Sequence, residues 1–120
     1  MKKRVLAVVL TGMLAAGMLA GCGSKKSSSD SDVEYIKNKG SLIVGITDFE
    51  PMDYKDESGE WIGFDADMAK QVAKDLGVEV QFVEIDWDNK ILELQNKSID
   101  VVWNGMTLTD EVTSSMACTN

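Results

Sequence analysis

The sequence has no histidine, one proline, two cysteines and, in 120 residues, a single arginine, Arg4. Without histidine it lacks the side chain that most often moves protons or ligates metals near neutral pH. Carboxylates alone can bind calcium, but no Asp-x-Asp-x-Asp-Gly loop occurs, and neither a metal nor a cofactor is expected. Positive charge is also scarce. From Val33 onward 18 acids face 7 bases, a net of −11 against −8 for the whole chain. Such a surface repels phosphate backbones, which excludes nucleic acid as a partner. No apolar run long enough to span a bilayer follows Ala20.

Hydrophobic residues make up 44% and charged residues 27%, the balance of a globular chain long enough for one small domain. Several of the few bases gather at the start. Lys2, Lys3 and Arg4 precede an apolar stretch from Val5 to Ala20, which runs into Leu19-Ala20-Gly21-Cys22. Residues 1–21 therefore read as an export signal ending in a lipobox-like site, where the Cys22 thiol would receive a diacylglyceryl group. The stretch is short for a transmembrane anchor and ends in small residues. Two acyl chains hold durably where one does not, so Cys22 is expected to tie the chain to the lipid bilayer, on the extracytoplasmic face of the cell membrane. Residues 22–32 carry that cysteine and a tether from Gly23 to Asp32 without an apolar residue. As a coil this tether spans about 17–19 Å. Cys118 is then left without a pairing partner and reads as a small apolar residue.

From residue 33 to 120 the pattern is that of a folded module. Val33 to Lys39 reads as a short helix with Asp32 as cap and Gly40 as stop. Ser41 to Thr47 reads as a buried strand. Asp48-Phe49-Glu50-Pro51-Met52 is a loop, and the turn cluster Asp56-Glu57-Ser58-Gly59 between Met52–Lys55 and Glu60–Phe64 reads as a hairpin. In the stretch from Trp61 to Gly77, Asp65 can cap a helix and Asp67 sits in its first turn. Met68, Val72 and Leu76 recur every fourth residue, with Ala69 and Ala73 beside them, as an apolar stripe that Gly77 ends. Val78 to Ile85 alternates like a second strand. Trp87 to Asn96 reads as a helix capped by Asp86, with Trp87, Ile91 and Leu94 or Leu92 inward. Ile99 to Trp103 is a third strand, Asn104 to Thr107 a loop, and Leu108 to Ser115 a short helix capped by Thr109.

Strand, helix, strand, helix, strand gives two right-handed βαβ units and a parallel sheet. Ligands collect at the carboxyl ends of such strands. Those ends are Asp48-Phe49, Asp86-Trp87 and Asn104 to Thr107, which offer aromatic faces, an acid, an amide, a hydroxyl and glycine-exposed backbone to a small polar ligand. Trp103 reads as core. Asp65 and Asp67 read as helix-start residues rather than ligands.

The segment Gly63-Phe64-Asp65-x-Asp67-Met68-x-x-x-Val72-Ala73-x-x-Leu76 resembles the signature of bacterial extracellular solute-binding protein family 3, the substrate-binding lipoproteins of polar amino-acid ABC importers. Ala66 departs from it, standing where a larger apolar residue is usual. The resemblance implies an α/β, periplasmic-binding-protein-like (type II) lobe, a parallel-core βαβ sheet flanked by helices, with residues 33–120 forming most of lobe one and the second lobe missing. It implies a monomer that binds a polar amino acid or similar small solute and delivers it to a membrane permease. Phe49 holds the place of the aromatic that stacks on the ligand, with Asp48 beside it, and Trp87 holds that of a second wall. Asn104, Gly105, Met106 and Thr107 hold that of the loop that hydrogen-bonds the ligand. The family usually has an arginine just after this loop to grip the ligand's α-carboxylate, and Val112 stands here. A carboxylate is then left to backbone N–H groups around Thr107 to Thr109 or to a second lobe, or the solute is not an ordinary α-amino acid. Other readings on the same fold are a dehydratase-like enzyme, with Asp48, Glu50 or Asp86 as acid or base, and an extracellular ligand-sensing domain. The lack of histidine and of lysine near the loops speaks against the enzyme.

Overall fold

A strand whose side chains are apolar on both faces is stable only when both faces are covered. The computed structural model, which describes residues 31–119, covers β1 (Ser41–Ile46) in this way: Leu42, Val44, Gly45 and Ile46 are all buried. On one side β1 pairs in parallel with β4 (Glu79–Glu84), from Ser41 opposite Glu79 to Ile46 opposite Glu84. On the other it pairs in parallel with β5 (Val101–Val102) through Val44 and Gly45. The sheet order is therefore β4–β1–β5, and the three carboxyl ends lie along one edge. The export signal, Cys22 and all but the last two residues of the tether lie outside the described residues.

The helix α1 (Asp32–Lys39) includes Asp32 rather than using it as a cap, and Gly40 ends it. It buries Ile36 against Leu42 and Val44. Lys39 reaches the Asp100 carboxylate at 2.6 Å, and the same carboxylate accepts the Ile43 N–H at 2.8 Å, so one acid ties α1, β1 and the start of β5. The hairpin is shorter than its pattern suggests, with β2 (Tyr54–Lys55) antiparallel to β3 (Trp61–Ile62). Its turn is held by the Asp56 carboxylate, which accepts from the Ser58 hydroxyl and from the N–H groups of Ser58 and Glu60.

The helix α2 (Phe64–Leu76) corrects two expectations. Asp65 is not its cap: the helix begins one residue earlier, Gly63 is the N-cap, and no side chain caps it. Gly63 holds φ at 110°, and the Asp65 N–H is taken by the Met52 carbonyl at 2.9 Å, so a neighbouring loop satisfies a first-turn donor. The buried line is also not Met68–Val72–Leu76. Ala66, Ala69 and Ala73 face the sheet, Val72 and Leu76 pack beside them, and Met68 is 42% exposed. Small side chains let the helix axis approach the sheet closely. Ala66, the departure from the signature, is fully buried and clusters with Ile46 and Trp61. Gly77 closes the helix in the left-handed conformation, as expected.

The segment after β4 is not one helix. A single tight turn, Trp87–Asn89, leads into α3 (Lys90–Gln95). Asp86 caps the turn as expected, accepting from the Asp88 N–H at 3.1 Å, and Leu92 faces solvent while Ile91 and Leu94 are half-buried. α4 (Asp110–Ser115) starts two residues later than its pattern suggests, with Thr109 as its cap. Among the described residues no helix is long and apolar enough to cross a membrane.

Candidate functional site

The register of the sheet brings the three loops to a common edge. β1 continues past Ile46 to Thr47 and Phe49. β4 stays paired one residue further, where the Ile85 N–H donates to the Ile46 carbonyl at 3.0 Å, and then turns into Trp87. β5 does the same on the other flank, the Trp103 N–H donating to the Gly45 carbonyl at 2.9 Å before Asn104. Because β1 is central, its loop lies between the other two.

Side-chain contacts join two of the three loops. The Phe49 ring, half exposed, lies over Gly105, where a Cβ would stand 3.5 Å from the ring. A Cβ there would be in ordinary van der Waals contact with the ring, so the β1 and β5 loops lie side by side at this point. Asn104 is half-buried and bonds Thr47 of the β1 loop. Trp87 sits on the same edge but turns to its own element, with the Lys90 ammonium 4.7 Å from its ring centre. Asp48 and Thr107 are exposed.

A residue absent from the sequence reading organises this junction. Asp53 has no solvent exposure. Its backbone pairs with Phe49, and its carboxylate meets the Asn104 amide. A carboxylate only accepts hydrogen bonds, so the amide turns its nitrogen toward the acid. It then donates to Asp53 Oδ2 at 2.7 Å and to the Trp103 carbonyl at 3.2 Å, and accepts from the Thr47 hydroxyl at 2.6 Å. Asp53 Oδ1 has no hydrogen-bond partner among the described residues. Burial, with the Asp65 carboxylate adding to it, pushes the Asp53 carboxyl from its ordinary 3.8 up to about 6, while the Ala66 N–H works the other way. One residue thus joins the β1 loop, through its backbone, to the β5 loop and the start of α2, through its carboxylate.

A groove of about 510 Å³ opens beside this junction, walled by Met52, Asp65, Trp103, Asn104, Gly105 and Met106 among others. Asp48, Phe49, Trp87 and Thr107 stand outside its wall. Asp65, read as a helix-start residue, is part of the wall, and Trp103, read as core, serves both core and groove. Among the described residues the wall carries one acid, Asp65, and one amide, Asn104, but no cation. Val112, where an arginine would grip a carboxylate, is 4% exposed and belongs to the interior. In the backbone around Thr107 to Thr109, the Thr109 N–H is already taken by the Thr107 carbonyl at 3.0 Å, and the Val112 N–H donates to the Thr109 hydroxyl at 3.3 Å. Among the described residues no group of three or more His, Cys, Asp and Glu side chains is placed to hold a metal ion.

Known proteins are similar to this chain in sequence and in fold. The L-cystine-binding protein TcyJ of Escherichia coli (strain K12) is 34% identical over 103 residues, covering 85% of this chain and 39% of TcyJ. The cyclohexadienyl dehydratase of Pseudomonas aeruginosa is 30% identical over 82 residues, 68% of this chain and 31% of that enzyme. The chain thus spans well under half the length of these curated relatives. Among solved structures, the arginine-bound form of domain 1 from TmArgBP superposes with a TM-score of 0.62 at 44% identity, covering 67% of this chain and 64% of that one. Residues 42–120 match the bacterial extracellular solute-binding proteins, family 3, and the chain belongs to that family.

Proposed function

We propose that the chain is the ligand-receiving part of a lipid-anchored substrate-binding protein of an ABC importer, taking up a small polar solute, an amino acid in the first instance, and passing it to a membrane permease. The observation that carries this reading is the junction of Phe49, Asn104 and Gly105 on the carboxyl edge of a parallel sheet, beside an open groove. The ligands in the names of its relatives, cystine and arginine, support the solute class. In this reading residues 1–21 are the export signal, Cys22 carries the lipid, residues 22–32 form the tether and residues 33–120 the binding module, which works as a monomer. Phe49 and Trp87 supply aromatic surface, Asp48 an acid, and Asn104, Gly105, Met106 and Thr107 the hydrogen-bonding loop. Closure of a second lobe on the solute would complete the site in the whole protein.

The dehydratase relative keeps an enzymatic reading in view. The geometry supports it less well. Asp48 and Glu50 lie exposed, and the Asp86 carboxylate is occupied as a cap. Titration calorimetry of the chain with L-arginine, L-cystine and L-glutamine tests the receptor reading. We expect weak binding of at least one, with Kd on the order of 1 mM, or about −4 kcal/mol, because one lobe supplies only part of the walls. Asn104→Ala should abolish it. Absence of binding by all three, or undiminished binding by the variant, overturns this site. Turnover of a prephenate-like acid would favour the enzyme instead.

A further inference from the structure

We propose that Asp53 is the positioning residue of the loop junction: the proton on its carboxyl selects which end of the Asn104 amide faces the acid, and with it the hydrogen-bonding group that Asn104 offers to a bound solute. This rests on the reading of the junction as a solute site.

The same heavy-atom positions admit two exclusive sets of hydrogen bonds. With Asp53 ionised, the amide nitrogen donates to Asp53 Oδ2 at 2.7 Å and to the Trp103 carbonyl at 3.2 Å, and its oxygen accepts from the Thr47 hydroxyl at 2.6 Å. Both amide hydrogens are then in use, and the oxygen keeps one lone pair. With Asp53 protonated from solvent, the amide can reverse. Its oxygen accepts from the Asp53 hydroxyl across the same 2.7 Å and from the Thr47 N–H at 3.3 Å, while facing the Trp103 carbonyl. Its nitrogen donates to the Thr47 hydroxyl at 2.6 Å and keeps one hydrogen free. Ionised Asp53 therefore leaves Asn104 an acceptor, suited to a solute ammonium. Protonated Asp53 leaves it a donor, suited to a carboxylate.

The proton is exchangeable in the range that matters, since burial and Asp65 raise the Asp53 carboxyl to about 6. Asp65 is the charged group acting on it from α2. The β1 loop presents Thr47 and Phe49, with Asp48 and Glu50 exposed, and the β5 loop presents Trp103 and Asn104. No cation among these groups would reverse the preference.

The test is a pair of titrations on the whole chain, wild type and Asp53→Asn. In nitrogen-15 NMR spectra, the Asn104 side-chain amide, identified by its loss in Asn104→Ala, should shift with a midpoint near pH 6 in the wild type and stay flat in D53N. Calorimetry with L-arginine should show several-fold weaker binding at about pH 5 than at about pH 7.5 in the wild type, and no such step in D53N. A purely structural role for Asp53 would change stability without moving either profile. A flat wild-type amide profile, or a pH step that D53N retains, overturns the proposal. Arginine binding that survives Asn104→Ala, with the amide still following Asp53, instead overturns the solute site and leaves the coupling intact.

Discussion

At the scale of single residues, Asp53 carries the strongest consequence. A carboxyl raised from 3.8 to about 6 binds its proton more tightly in the folded state than in the unfolded chain. Its contribution to stability is therefore fully present below the unfolded value and is lost as pH rises through about 6. Allowing for solvent screening, the loss is on the order of 1–2 kcal/mol. Urea denaturation of wild type and Asp53→Asn between about pH 4 and pH 7.5 isolates it: the wild type should lose stability relative to D53N as pH rises. A difference that stays constant with pH, or changes in the opposite sense, would show that the carboxyl titrates normally. Asn104 was legible in the sequence because a polar residue directly after a β-rich run lies where parallel sheets bind ligands. Asp53 was not. The hairpin pattern gives it no reason to be buried, and the amide that meets its carboxylate, Asn104, comes from a distant part of the chain.

At the scale of elements, the kinds were legible and the edges were not. Hydrophobic periodicity records which residues meet a neighbour, but ends are fixed by loops that dock from elsewhere. The Met52 carbonyl takes the Asp65 N–H and moves the start of α2 to Phe64. The stripe on α2 holds for Ala69, Ala73, Val72 and Leu76, but its centre was misplaced toward Met68 for a related reason. Residues four apart share a face whether they are large or small, and close packing on the sheet selects the alanine row at 66, 69 and 73 over the row that begins with Met68. Gly63 makes the docking testable. It and Gly59 both hold positive φ, 110° and 84°. A Cβ at Gly59 would meet nothing, whereas one at Gly63 would collide with the Met52 carbonyl and lie 2.7 Å from the Pro51 oxygen. Gly59→Ala should cost about 1 kcal/mol, the price of the dihedral. Gly63→Ala should cost about 2–4 kcal/mol and loosen the groove wall formed by Met52 and Asp65. Equal losses in denaturant melts would mean that the loop is free to withdraw from α2.

At the scale of the whole molecule, the βαβ topology was legible because alternating apolar runs and helical stripes leave little choice of connection, and it alone sets the common edge of the loops. Charge is the other property that belongs to no single element. The segment from Val33 onward carries −11, and the ion pairs among its described residues include Lys39–Asp100, Lys55–Glu84 and Lys70–Glu60. Of these, Lys39–Asp100 is the well-buried one; the other two leave the carboxylate more than half exposed and add little. Most of the acids therefore repel one another across the surface, a cost that the unfolded chain dilutes. The same field draws cations toward the loop edge and works against anions. Salt acts on both effects with opposite sign. Raising ionic strength from about 0.01 M to about 0.15 M shortens the screening length from about 30 Å to about 8 Å. Relief of self-repulsion should then raise the melting temperature by about 2–4 °C, on the order of 0.5 kcal/mol for a domain of this size. Affinity for L-arginine should fall over the same range as long-range attraction is screened. Thermal melts and calorimetry at the two salt concentrations read both changes. A melting temperature that falls with salt would mean that favourable ion pairs outweigh the net repulsion, and the acidic field would then have no part in drawing a cationic solute to Asn104 and Asp65.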